Sequence, residues 1–107
     1  METEPDMLRI ACKWIRRAFP MQCRVLVRRV TLDNPDDDDE GNAIETPKGF
    51  SITIADHLHP TSQVQSLFHE WSHIRTWDQW IRKEHPKAWQ HEYGRISAAW
   101  EAYKGNP

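Results

Sequence analysis

The amino-acid sequence predicts an α+β fold in a single domain over residues 1–107, with one helix before a small sheet and two helices after it. Three observations carry that expectation. Apolar residues recur at three- and four-residue steps near the N-terminus and again through the C-terminal half. Two short segments between them alternate in polarity, as strands half buried on a core do. Proline, glycine and acidic residues punctuate the joins. At 107 residues and 12.7 kDa the chain is sized for one core, which takes up roughly two-thirds of the surface exposed by the unfolded chain. Hydrophobic residues are only 38% of the total, but six tryptophans concentrate apolar area in few positions, so a folded domain is expected.

Each element follows in order. After Pro5, the residues Met7, Leu8, Ile10, Ala11, Trp14, Ile15, Ala18 and Phe19 form the stripe of a first helix that stops before Pro20. Residues 22–32, QCRVLVRRVTL, are rich in β-branched types and set Cys23, Val25 and Val27 in alternation, which predicts a strand. Residues 33–48 hold Pro35, the acidic run Asp36 to Glu40, Gly41, Asn42 and Pro47, and so predict a mobile acidic loop, briefly extended from Asn42 to Glu45. The segment GFSITIAD, residues 49–56, places Phe50, Ile52 and Ile54 on one face of a second strand. Ser62 and Gln65 match a capping box at the start of a second helix, whose stripe of Val64, Leu67, Phe68, Trp71, Ile74, Asp78 and Ile81, with Asp78 its one polar member, runs to about residue 83. Pro86 suits the first position of a third helix, with His85 just before it and Trp89, Tyr93, Ile96, Trp100 and Tyr103 as its stripe.

The formal net charge of −2 predicts no partner by itself. Basic residues gather between residues 9 and 29, and Arg16, Arg17, Arg24, Arg28 and Arg29 have the chemistry to meet phosphate, but a solvated helix face and an exposed strand face account for them. Nucleic acid is therefore a secondary partner. Cys12 and Cys23 are isolated, the start METEPDM lacks the basic and apolar segments of a signal peptide, and no window approaches the about 18 consecutive apolar residues of a membrane span. A soluble, cytoplasmic protein with no membrane contact is the expectation.

Residues 69–73 read HEWSH, an instance of H-E-x-x-H in the middle of the strongest helical pattern. Four residues are slightly more than one helical turn, so His69 and His73 project from one face and can share a metal ion. Glu70 is rotated about 100° from His69, which lets it reach a water on that metal as a general base without being a ligand. A catalytic zinc takes three protein ligands and keeps one position open, so a third donor is expected downstream. His85, His91 and Glu92 compete for it, and spacing leaves the choice open. The chemistry implied is hydrolysis by a zinc-activated water, with a protein or peptide as the natural substrate. An extended peptide would add to the edge of the strand around Ser51 to Ala55, beside the metal helix.

The residues ITIADHL (52–58) followed by LFHEWSH (67–73), then HPKAW (85–89), YGRI (93–96) and Trp100, resemble the SprT-like zinc metallopeptidases, a family that includes small stand-alone phage and bacterial proteins. The likeness covers roughly residues 50–103. It implies a minimal zincin-like fold, a peptidase activity, and His85 as the third zinc ligand, from the family's H-G-x-x-W element. Here Pro86 stands where that element has glycine, which keeps Glu92 as an alternative. Nothing in the chain corresponds to the nucleic-acid-binding modules of larger members.

The remaining candidates have plainer readings. His57 and His59 sit where the second strand ends before Pro60 and read as turn residues. Trp71 and Trp77 read as core, His91 as exposed, and Tyr93 and Arg95 as a core residue and a surface residue, not as oxyanion donors. Two competing functions remain: a zinc-bearing binding module that works by contact without turnover, against which Glu70 argues, and a structural zinc closed by four ligands with His91 or Glu92 added.

Overall fold

The computed structural model describes residues 6–31, 41–77 and 85–105, and of His85 and Pro86 the backbone alone. Helix α1 (Met7–Ala18) is capped by Asp6, whose carboxylate accepts from the Arg9 amide at 3.2 Å. Phe19 closes it with its own N–H on the Ile15 carbonyl, because Pro20 disfavours helical geometry at the residue before it. Leu8, Ala11, Ile15 and Phe19 are buried while Met7 and Ile10 stay exposed, so the stripe is narrower than the sequence suggested.

Three strands form one sheet in the order β1-β3-β2: β1 (Arg24–Val30), β2 (Gly41–Thr46) and β3 (Gly49–Ala55). Strand β3 is central, parallel to β1 from Arg24↔Gly49 to Val30↔Ala55 and antiparallel to β2 from Gly41↔Ile54 to Thr46↔Gly49. Ile52 and Ile54 are fully buried with Val25 beside them, while Phe50 is half-buried; Ser51 and Ala55 on the opposite face are buried too, so central β3 is covered on both faces where the sequence suggested one. The loop expected over 33–48 is corrected at its end. Residues 41–46 are a strand, Pro47 and Lys48 make the turn, and residues 32–40, with the acidic run, lie outside the described residues. The brief extension expected over Asn42 to Glu45 is a six-residue strand, lengthened by its pairing with β3.

Because β3 is paired on both sides, it offers no edge to a peptide. Among the described residues the unpaired edge beside helix α2 (Pro60–Arg75) belongs to β2, which packs against that helix as β3 does. That helix starts two residues before Ser62. His59 is its cap, its Nδ1 accepting from the Thr61 amide at 3.2 Å, and Pro60 takes a first-turn position where a missing N–H costs nothing. Helix α2 ends at Arg75, and Thr76 returns its hydroxyl to the Ser72 carbonyl. The helix expected to run to about residue 83 therefore stops short, and residues 78–84 lie outside the described residues.

Helix α3 (His85–Gly105) and α1 both pack on α2. Trp14, Phe68 and Trp100, one from each helix, meet with ring centroids 5.2 to 5.8 Å apart, and the buried Trp71 ring donates Nε1–H to the Phe19 carbonyl at 3.0 Å. The α+β fold, with one helix before the sheet and two after it, is as the sequence reads.

Candidate metal centre

Helix α2 holds the centre because its other sides are anchored. Leu67, Phe68, Trp71 and Ile74 are buried in the core, so His69 and His73 must emerge on the remaining side. Their Nε2 atoms stand 3.1 Å apart and their ring centroids 4.7 Å apart. Two ligand nitrogens on a tetrahedral ion at about 2.0 to 2.1 Å would be about 3.3 Å apart, so the pair is spaced as adjacent ligands. His69, Glu70 and His73 bring their ligand atoms within 4.8 Å of one another, a cluster able to hold a metal ion.

Glu70 supplies the second part of the fit. It is 8% exposed, and among the described residues its carboxylate has no hydrogen bond and no ion pair. Burying a carboxylate without partners is costly, and it pushes the Glu70 pKa up to about 7. A divalent cation beside it offsets that cost and favours the charged form. Strand β2 closes over the same place. A Cβ added at Gly41 would lie 3.9 Å from Glu70 Cγ and 3.6 Å from Ser66 Cβ, in ordinary contact, and 3.1 Å from the Thr53 carbonyl of β3, which is the tight contact.

Helix α3 contributes an aromatic wall that sequence reasoning placed in the core. Trp89 stacks on His73 at 5.3 Å with 22° between planes, meets His69 edge-on at 4.8 Å, and donates Nε1–H to the His69 carbonyl at 3.1 Å. Tyr93 stacks on Trp89 at 5.3 Å and lies 6.4 Å from the His69 ring. The available signal was Trp89 and Tyr93 lying one turn apart at the start of the α3 stripe, before its fully buried part begins at Ile96.

The third-ligand candidates separate. Glu92 is held by two guanidiniums, Arg75 Nε at 3.2 Å and Arg95 NH1 at 3.0 Å, and does not join the cluster. His91 is exposed. The His85 side chain lies outside the described residues, although its backbone opens α3. His57 lies in the turn after β3 and His59 caps α2, so neither reaches the centre. Trp71 is core, as expected, while Trp77 is half-buried against Phe50 at 5.1 Å.

Of the arginines considered for phosphate, two are tied into the fold. Arg16 bonds the Val25 carbonyl at 2.8 Å and lies over Trp71, and Arg29 bridges Asp6 and Gln63. Among the described residues no helix is long and apolar enough to cross a membrane. Comparison with protein-family models, with curated proteins and with solved structures returned no match, so the reading of the site rests on its own geometry.

Proposed function

We propose that this protein is a zinc-dependent metallopeptidase of the kind the SprT-like family comprises, with His69 and His73 as ligands and Glu70 as general base. The observation that carries the reading is a buried, unpartnered carboxylate set beside two imidazoles whose Nε2 atoms are 3.1 Å apart. His85 is the third ligand we favour, as the resemblance of HPKAW (85–89) to the family's H-G-x-x-W element implies, and its backbone opens α3. The engagement of Glu92 with Arg75 and Arg95, away from the cluster, supports His85 over it. Imidazole donors suit zinc, which when bound would supply a Lewis acid that polarises a carbonyl and acidifies water.

The chain's own residues do the rest. Glu70 takes the proton from the attacking water and returns it to the leaving amine. Trp89 holds both imidazoles in orientation through ring contact and through the His69 carbonyl. An extended substrate adds to the free edge of β2, by main-chain hydrogen bonds that carry little side-chain preference. The free thiols of Cys12 and Cys23 suit a reducing, cytoplasmic setting.

Glu70→Gln tests the reading, since it preserves shape and cannot accept the proton. Zinc content and melting temperature should match the wild type, while cleavage of an unfolded protein falls by at least about a hundredfold. Equal cleavage by the two zinc-loaded proteins would remove Glu70 from the chemistry. A zinc-loaded wild type that cleaves nothing would favour a binding module. For the third ligand, His85→Ala should lose zinc and Glu92→Ala keep it, and the opposite result reverses the assignment.

A further inference from the structure

Strand β2 links Glu70 to a second feature. Its first residue, Gly41, lies against Glu70, and its fifth, Glu45, lines a cavity of about 620 Å³ at the other end of α2. Met21 from the α1–β1 connection, Phe50 from β3, and Ile74, Arg75 and Trp77 from the end of α2 complete the part of the lining that matters here.

Among the described residues two charged side chains line the cavity, Arg75 and Glu45. The Arg75 guanidinium is already committed, donating to Glu92 at 3.2 Å and to the Pro20 carbonyl at 2.8 Å. Glu45 is exposed and has no ion-pair partner among the described residues, so its carboxylate is the charged group left for a ligand to meet. Beside it stand the edge-to-face pair Phe50 and Trp77, with rings 5.1 Å apart, and the methionine. A carboxylate next to aromatic faces and an apolar wall fits a cation carried on a long aliphatic stem. A carboxylate ligand would meet repulsion from Glu45, and a short aliphatic one would leave Glu45 unanswered.

We infer that this cavity binds an arginine or lysine side chain of a polypeptide substrate, with the stem against Met21, Phe50 and Trp77 and the cation at Glu45. The inference rests on the peptidase reading for its context. Four residues of antiparallel strand, from Gly41 to Glu45, span about 14 Å, and a substrate extended along β2 rises at the same rate. The basic residue then stands about four positions from the bond at Glu70.

Cys23 is exposed and lines the same cavity, which supplies a readout that does not need turnover. The zinc-loaded full chain is alkylated with iodoacetamide in the presence of an acetylated, amidated polyalanine decapeptide carrying one central arginine, or leucine or glutamate in its place. Labelling of Cys23 is followed by mass spectrometry. The arginine peptide should slow Cys23 labelling, and Glu45→Gln should weaken that protection about three- to tenfold. Glu45→Arg should transfer the protection to the glutamate peptide. Equal protection by all three peptides, or by none, overturns the inference.

In parallel, cleavage sites are mapped in a reduced, unfolded protein. Cuts should gather about four residues from an arginine or lysine. Selective protection without any cleavage would sink the peptidase reading and leave the cavity assignment standing; cleavage without selective protection or basic preference would do the reverse.

Discussion

Asp6 does two jobs with one carboxylate: it caps α1 through the Arg9 amide and accepts from the Arg29 guanidinium, which passes the connection on to Gln63 in α2. The hydrogen bond from Arg29 holds the Asp6 pKa below the ordinary carboxylate range. A carboxyl with a lower pKa folded than unfolded contributes stability above its unfolded value, and loses it as pH falls through the folded one. Asp6→Asn keeps the cap and removes the charge, so its deficit in melting temperature should be present at neutral pH and vanish in acid below the usual Asp range. A deficit that persists in acid would mean that the charge is irrelevant. Cys12 shows the opposite shift: burial pushes its thiol up, while Cys23 is exposed. Iodoacetamide should therefore label Cys23 well before Cys12, as peptide mass mapping over time would show. On the zinc reading proposed above, Trp89→Ala should weaken zinc binding about 10- to 100-fold in chelator competition, and Trp89→Phe less, because it keeps a ring against His73.

At the scale of elements, two glycines with opposite surroundings give opposite expectations. Gly49 begins β3 at φ +147°, and a Cβ there would lie 2.1 Å from the Arg24 carbonyl oxygen, where the parallel register with β1 starts. Gly49→Ala should destabilise the protein by at least about 2 kcal/mol in urea unfolding, since backbone strain and a backbone clash act together. Gly94 lies within α3, and a methyl group added there would meet nothing within 4 Å. Gly94→Ala should stabilise by about 0.5 to 1 kcal/mol, because alanine loses less backbone freedom on entering a helix. A Gly94→Ala protein less stable than wild type would show that α3 needs its glycine for a reason other than propensity.

Across the whole molecule, α3 docks through Trp100 against Trp14 and Phe68 and through Glu92 to Arg75, and that docking brings Trp89 onto the histidines. Trp100→Ala should cost about 3 to 5 kcal/mol. On the proposed reading, metal binding and folding are coupled in the same way. An ion held by residues of α2, against a wall from α3, stabilises the folded state by about 4 kcal/mol at a thousandfold excess over its dissociation constant. Zinc should raise the melting temperature of the wild type and a chelator lower it, whereas a variant with both His69 and His73 changed to Ala should respond to neither. An equal response in that variant would move the metal elsewhere.

The features legible in the sequence are those set by neighbours along the chain. The i, i+4 spacing of His69 and His73, the α1 stripe of Leu8, Ala11 and Ile15, and the alternation of Ile52 and Ile54 all follow from helix and strand periodicity, which needs no knowledge of what packs opposite. The tertiary structure decided what depends on distant partners. The extension expected over Asn42 to Glu45 became a full strand, Gly41–Thr46, because β3 pairs with it, and among the described residues β2, not the central β3, carries the unpaired edge beside α2. Glu92 was captured by Arg75, 17 residues away, and Trp89 became a wall of the metal centre because α3 returns along α2. Periodicity says which way a side chain points on its own element; only the packing of elements from distant parts of the chain says what it meets there.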